Sequence, residues 1–334
     1  MKLDLDKPAI GFANVAAAAR RLAGQAIRTP LMEFEQLNDR VGGRVLIKPE
    51  SLQRSGSFKF RGAYNRLSQL AETEPGRAVV AWSSGNHAQG VALAARLLGI
   101  SATIVMPKDA PQNKIDGTRA LGSEIVFYDR RSESREDVAR ALVHERGSAL
   151  VPSYDDAQIM AGQGTVGLEI GEQAKKAKVS LDALLVCCGG GGLIAGIATA
   201  MARLSPRTEV FAVEPKGFDD TARSLLQGKR VSATGNRTSI CDALLAPIPG
   251  ELTFPITRRL VAGGLVVTDD QVGHAMSYAA QYLNLVVEPG GAVALAALLS
   301  GKIETKGRTT GVVITGGNVD PELLTEALTA FPNP

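Results

Sequence analysis

Four short stretches carry the side chains best suited to chemistry. Ser55-Gly56-Ser57-Phe58-Lys59-Phe60-Arg61-Gly62 sets a lysine between two aromatic residues. An amine held against apolar surface loses its proton more readily than one in water, and Schiff-base chemistry needs that neutral form. The plain alternative is an exposed lysine at a helix start. Gly189-Gly190-Gly191-Gly192 lies between an apolar run and a helical one. With no Cβ in the way, backbone amides there can converge on a phosphate, and a helix N-terminus favours the anion. Gly190-x-Gly192-x-x-Ala195, followed by a strand ending at Glu214, also carries most of a dinucleotide-binding fingerprint. A strand-to-helix turn without a ligand would have the same composition. The glycines therefore point to a phosphate without saying which one. Ser83-Ser84-Gly85-Asn86-His87-Ala88-Gln89 is a polar turn at the carboxyl end of a strand, where open α/β sheets bind ligands. It can also be read as an Asn/His helix cap. Thr315-Gly316-Gly317-Asn318 is a second polar turn just past a strand.

The elements that must position these stretches alternate between strand and helix, which predicts α/β architecture with parallel sheets. Strands are expected at 79–82, 102–106, 124–128, 183–188, 209–213 and 312–315. Helices are expected at 87–98, 111–121, 132–146, 158–178, 193–204, 268–283 and 290–299. Residues 75–152 read as a small doubly wound domain inserted into a larger one made of 1–70 and 156–334. Two sheets in contact leave a cleft, the usual place for a small-molecule site.

Composition removes several other classes. A chain of 334 residues, 45% hydrophobic and 21% charged, is long enough for about two domains and is neither disordered, collagenous nor coiled coil. The 37 basic and 34 acidic residues are scattered, and aromatics make up only 4%, so no nucleic-acid footprint is expected. Cys187 and Cys188 are adjacent and Cys241 stands alone, which is no disulfide scaffold. With alternating charges at residues 1–7 in place of a secretory start, the expected compartment is the cytoplasm. The uncharged stretch 183–202 contains the glycine tetrad and reads as strand, turn and buried helix, so no membrane span is expected.

In this order and spacing, the four stretches resemble the pyridoxal-phosphate enzymes of the tryptophan-synthase-β fold type. Within that group they are most similar to serine/threonine dehydratases, serine racemase and 3-hydroxyaspartate dehydratase. The likeness extends to Arg28-Thr29-Pro30-Leu31 and Ala161-Gly162-Gln163-Gly164-Thr165. It implies two open, twisted, mostly parallel sheets with pyridoxal 5'-phosphate in the cleft. Lys59 would hold the cofactor covalently, and Gly189, Gly190, Gly191 and Gly192 would bind its phosphate. Asn86 would meet the ring hydroxyl, Thr315 the pyridine nitrogen, and Phe58 would pack near the ring. Ser83, Ser84, Gly85, Asn86 and His87 would cradle the substrate carboxylate. Thr315 stands where many relatives have Ser, and a neutral hydroxyl makes a weaker electron sink than an aspartate would. That suits prompt loss of a β-leaving group. In the implied reaction the freed Lys59 amine takes the α-proton, the β-hydroxyl leaves with a proton from the cofactor phosphate, and a 2-oxo acid and ammonia result.

Further residues bear on the substrate. Ser84 resembles serine racemase, where many dehydratases carry Ala; its hydroxyl could return a proton on the face opposite Lys59, or simply solvate the turn. The following Ala88-Gln89-Gly90-Val91-Ala92 looks like the dehydratases. Arg135 resembles the racemase and hydroxyaspartate branch, where it could reach a second carboxylate; it also fits a surface arginine paired with local acids. Glu214, Phe218 and Asp220 resemble a divalent-cation loop, with two carboxylates and a backbone carbonyl for Mg2+ or Ca2+, and are also readable as solvated acids. Cys241-Asp242-Ala243-Leu244 departs from the Ala-Asp-Gly of relatives, and Tyr154-Asp155-Asp156 looks like the threonine-dehydratase version of its loop. His144 and His274 read as structural. The expected protein is a homodimeric dehydratase of L-serine or L-threonine, with 3-hydroxyaspartate close behind and no C-terminal sensing module. The alternatives are a racemase, a β-replacement enzyme and a nicotinamide-dependent Rossmann oxidoreductase.

Overall fold

The computed structural model describes residues 8–110, 112–233 and 238–331; the alternating charges at 1–7 and the predicted helix start at Pro111 lie outside them. The described residues contain ten strands. These are β1 (Met32–Glu33), β2 (Arg44–Pro49), β3 (Val79–Trp82), β4 (Ala102–Pro107), β5 (Glu124–Tyr128), β6 (Ala149–Leu150), β7 (Ala183–Cys187), β8 (Glu209–Pro215), β9 (Gly263–Val267) and β10 (Thr309–Ile314). The larger sheet runs β1-β2-β10-β7-β8-β9 and the smaller β5-β4-β3-β6. Only the β1–β2 pair is antiparallel among them.

Helices cover both faces, so the inner strands are continuous apolar runs; β4 and β7 are buried throughout. The Pro289–Leu299 helix, almost pure Ala, Leu, Gly and Val, fills the core against the larger sheet. The Lys59–Thr73 and Asn86–Leu98 helices pack with Val79, Ala81, Ile104 and Met106 of the smaller sheet. The uncharged stretch is β7, the glycine turn and the Gly192–Leu204 helix. No described helix is long and apolar enough to cross a membrane.

Differences from the predicted elements have local causes. The helix expected from 132 begins at Arg135, because the Ser134 hydroxyl accepts from the Asp137 amide at 3.3 Å and caps it there. Strand β2 went unpredicted because a charged residue, Lys48, lies within it, fully buried. Strand β9 opens on two glycines, and a Cβ on Gly264 would run into Ala222. Helices Phe12–Leu22, Glu35–Val41, Lys59–Thr73, Asp220–Gln227, Phe254–Leu260 and Pro321–Ala330 were also not predicted.

Candidate active site

All four chemical stretches follow carboxyl ends of strands. The turn Ser83-Ser84-Gly85 leaves β3, the glycine tetrad lies just past β7, and Thr315 follows the last residue of β10. Lys59 begins its helix a short way past β2. Two contacts hold its turn against β10: the Phe58 amide donates to the Thr315 carbonyl at 3.1 Å, and Ser57 bridges Gly316. The Asn86–Leu98 helix closes in from the other sheet, since a Cβ on Gly90 would lie 3.0 Å from the Lys59 carbonyl carbon.

Lys59 Nζ donates to the Ser153 carbonyl at 3.0 Å and lies 5.2 Å from the centre of the Phe58 ring. Burial pulls its pKa down to about 8, with the Glu288 carboxylate pulling the other way. The desolvated lysine expected between aromatics is thus present, although Phe60 turns into the core. Glu288 was not anticipated. It precedes the Pro289–Leu299 helix, and burial pushes its acid up to about 7 against a hydrogen bond from the Asn86 amide. A Cβ on Gly316 would overlap the Glu288 carboxylate, which explains the glycine in that turn. An acid directly before Pro-Gly-Gly at a helix start was the available signal.

Asn86 is fixed on both sides. Its Nδ2 donates to Glu288, and its Oδ1 accepts from Asn318 Nδ2 at 2.7 Å, while Asn318 also donates to the Ser55 carbonyl at 2.8 Å. His87 Nε2 lies 2.9 Å from the Val151 carbonyl, and burial with the nearby Lys59 charge depresses its pKa to about 3. It is a neutral donor. Ser83 Oγ accepts from the Gly85 amide at 3.1 Å, shaping the turn, and Ser84 makes no hydrogen bond to the described residues.

The glycine tetrad has the form of an anion cradle. Gly191 has φ +90° and a Cβ there would lie 2.8 Å from Thr253 Oγ1, which itself donates to the Gly190 carbonyl at 2.8 Å. A Cβ on Gly190 would enter the Tyr154 ring, and one on Gly192 would lie 3.0 Å from Tyr154 Cα. Gly192 opens the helix with no side-chain cap, leaving its amides for a ligand. Thr315 is buried, and its hydroxyl donates to Cys187 Sγ at 3.5 Å. Sulfur is a weak acceptor, so this hydroxyl keeps most of its capacity for a ring nitrogen. The hydroxyls of Ser51, Ser55 and Ser57, close by in sequence, are buried without partners. Cradle, amine and under-used hydroxyls fit pyridoxal phosphate.

The remaining predicted residues have contacts of their own. Arg135 starts the Arg135–Arg146 helix, half-exposed, with Nε on Glu136 Oε1 at 2.8 Å. Glu214 accepts from the Thr221 and Ala222 amides at 2.9 and 2.7 Å. Burial and the Asp220 charge push Glu214 up to about 8, and burial pushes Asp220 up to about 7. No group of three or more His, Cys, Asp or Glu converges among the described residues. Burial holds the Cys187 thiol up at about 11, so it is no nucleophile at neutral pH.

Comparison with known proteins agrees with this geometry. The chain is 46% identical over 311 residues to an L-threo-3-hydroxyaspartate ammonia-lyase from Pseudomonas sp, covering 93% of this chain and 96% of that protein. It is 38% identical to a serine racemase from Schizosaccharomyces pombe, covering 93% and 95%. A solved T.th. threonine deaminase superposes with a TM-score of 0.87 at 42% identity, covering 93% of this chain and 99% of that one. Residues 22–316, which include Lys59, the glycine tetrad and Thr315, match the family model described as pyridoxal-phosphate dependent enzyme, and the chain belongs to that family.

Proposed function

We propose that this protein is an ammonia-lyase that converts a small 3-hydroxy amino acid into a 2-oxo acid and ammonia, acting on L-threo-3-hydroxyaspartate, L-serine or L-threonine. The observation that carries the reading is the Lys59 amine, with a pKa of about 8, set where the carboxyl ends of both sheets meet. Bound pyridoxal phosphate supplies the electron sink that acidifies the substrate's α-carbon. The chain's own residues do the rest. Lys59 Nζ is the group able to accept the α-proton, and the Ser153 carbonyl aims it. The tetrad's amides hold the phosphate, and Asn86, locked by Asn318 and Glu288, presents its amide to the ring. Backbone donors of the Ser83–His87 turn bind the α-carboxylate, and neutral His87 stays out of proton transfer. Water leaves and is regained on release, so no redox partner is required.

The test is a panel of these amino acids assayed for 2-oxo acid and ammonia in equal amounts. Activity on none of them, or turnover coupled to nicotinamide absorbance, would discard the reading. Ser84 favours racemisation as a second activity, because its hydroxyl is uncommitted at the substrate turn; D-serine appearing from L-serine would establish it. We also assign Glu214, Asp220 and the Phe218 carbonyl to a divalent cation, magnesium or calcium. Support comes from two buried like-charged acids, one of which, Asp220, has a buried Oδ2 with no partner. Added cation should raise the melting temperature of the wild type and not of Asp220→Asn. The smaller sheet with its helices, residues 75–152, serves as the part that closes over the substrate.

A further inference from the structure

Thr253 stands directly before the Phe254–Leu260 helix, where a threonine hydroxyl ordinarily accepts from an amide of the first turn. It makes no such cap. The side chain is fully buried, and its hydroxyl donates to the Gly190 carbonyl at 2.8 Å instead. The Gly250 amide donates to the same oxygen at 3.2 Å. Both lone pairs of one tetrad carbonyl are therefore taken by one short segment, residues 250–253. The hydroxyl that could have served its own helix serves the glycine turn.

The consequence falls on the other half of the same peptide. A trans peptide is planar, so its carbonyl and its N–H point in opposite directions. With the Gly190 carbonyl pinned toward Thr253, the Gly191 amide faces the opposite side. That amide makes no hydrogen bond to the described residues. Two glycines flank this peptide, and without Cβ atoms they would let it turn either way. Something outside the tetrad must choose the direction, and the Thr253 hydroxyl is placed to do so. Its segment is fixed in turn by Asp155, which accepts from the Glu251 and Leu252 amides at 2.9 and 2.8 Å. A Cβ on Gly250 would overlap that carboxylate. Two residues before Asp155, the Ser153 carbonyl accepts from Lys59 Nζ at 3.0 Å. One stretch of chain, residues 153–155, thus holds both the amine and the support of the cradle.

We propose that Thr253 is a positioning residue for the phosphate cradle: its hydroxyl sets the Gly190–Gly191 peptide so that the Gly191 amide donates to the cofactor phosphate, with Asp155 holding the segment that carries it. This rests on the reading in which the tetrad holds that phosphate, and deepens it by naming what aims the amide.

The test loads full-length wild type, Thr253→Val, Thr253→Ser and Asp155→Asn with pyridoxal phosphate or with pyridoxal, which lacks the phosphate, and follows release on dialysis. Lys59 takes either aldehyde, so the ratio of the two affinities isolates the phosphate. Wild type should hold pyridoxal phosphate more tightly. That preference should fall about tenfold in Thr253→Val, the lower end for one hydrogen bond to a charged group. Thr253→Ser keeps the hydroxyl and should restore it. Asp155→Asn should lower it by less, and decides the matter should Thr253→Val fail to fold. By phosphorus NMR, the bound phosphate of Thr253→Val should move toward the position of free cofactor, and that of Thr253→Ser should not. A residue that only packs would loosen both ligands together. Such parallel loosening, an unchanged preference in Thr253→Val and Asp155→Asn, or a loss as large in Thr253→Ser as in Thr253→Val overturns the proposal. Wild type that holds both ligands equally overturns the cradle reading, and the proposal with it.

Discussion

Two arginines, Arg61 and Arg135, show how differently this molecule uses one side chain. Arg61, two residues beyond Lys59, is 1% exposed and has every donor satisfied. Its Nε and Nη2 donate to both oxygens of Glu50, at 2.7 and 2.8 Å, and its Nη1 and Nη2 to both oxygens of Glu169, at 2.7 and 3.0 Å. Thr165 and the Ile27 carbonyl take the remainder. Lys48 completes the cluster on Glu169 at 2.6 Å, so two cations face two anions in the interior. Arg135 is 48% exposed, and its partner among the described residues is its sequence neighbour Glu136. The first arginine is committed to holding the start of the Lys59 helix; the second leaves most of its donors to solvent. A charge that serves the fold is saturated, and a charge at the surface is left to water.

The sharpest way to break this contrast is to make the same substitution at both. Arg61→Met leaves Glu50 and Glu169 buried against Lys48 alone, and removing one partner of a buried ion cluster costs about 3–5 kcal/mol. Arg135→Met, at a half-exposed pair, should stay within about 0.5 kcal/mol. Guanidinium denaturation of the two variants measures the difference, and equal losses would erase the distinction.

Lys59 sharpens the contrast from the other side. It is less deeply buried than Arg61 and faces only a carbonyl and the Glu288 charge, so burial pulls its pKa down to about 8 where Arg61 keeps its charge. Below pH 8 the amine is protonated and cannot attack; above it the neutral nucleophile predominates. The rate at which apoprotein captures pyridoxal phosphate on Lys59 should therefore rise about tenfold per pH unit up to about 8 and then level off. Between pH 6 and 9 that is about a 100-fold change. A rise centred near pH 10.5 would mean that burial does not act on this amine.

A smaller effect is expected at Gly316, where the added methyl of Gly316→Ala would push Glu288 off Asn86. Overpacking of this kind typically costs about 1–3 kcal/mol. Weaker cofactor retention, by about tenfold, should appear on dialysis. An unaltered affinity would show that Asn86 needs no support from Glu288.

These contrasts also mark what was legible in the sequence. The glycine tetrad and the polar turns could be read because their chemistry is local: a missing Cβ, a free amide, a strand just before. The alternation of strand and helix likewise announced the parallel sheets. Partners far along the chain carry no such mark. Glu288 looks like an ordinary residue ahead of a helix until Asn86 meets it from 202 positions away. Arg61 and Arg135 both stand near the start of a helix, and only Glu50, just past β2, and Glu169, on the Ala157–Lys176 helix, tell them apart. Strand β2 was hidden for the same reason, since the charge of Lys48 reads as exposed until the Thr29 carbonyl, Glu169 and Gln173 surround it.

At the weak end of the scale lies a pair that crosses between the sheets. Lys114, on the Gln112–Ala120 helix beside the smaller sheet, meets Asp242 at 3.0 Å. Asp242 opens the short turn Asp242–Leu244, and Leu244 Cα would stand 3.3 Å from a Cβ on Gly189. The contact thus ties the smaller sheet's side to the phosphate cradle, yet the Asp242 carboxylate is 59% exposed. Exposed pairs contribute about 0.2–1 kcal/mol, and salt screens them. Asp242→Asn should therefore raise KM by no more than about fivefold at low ionic strength. At about 1 M salt, where the screening length is about 3 Å, wild type and variant should coincide. If their KM values stay apart in high salt, Asp242 acts by shaping its turn and not by its charge, and the crossing contact belongs with the saturated side of the molecule.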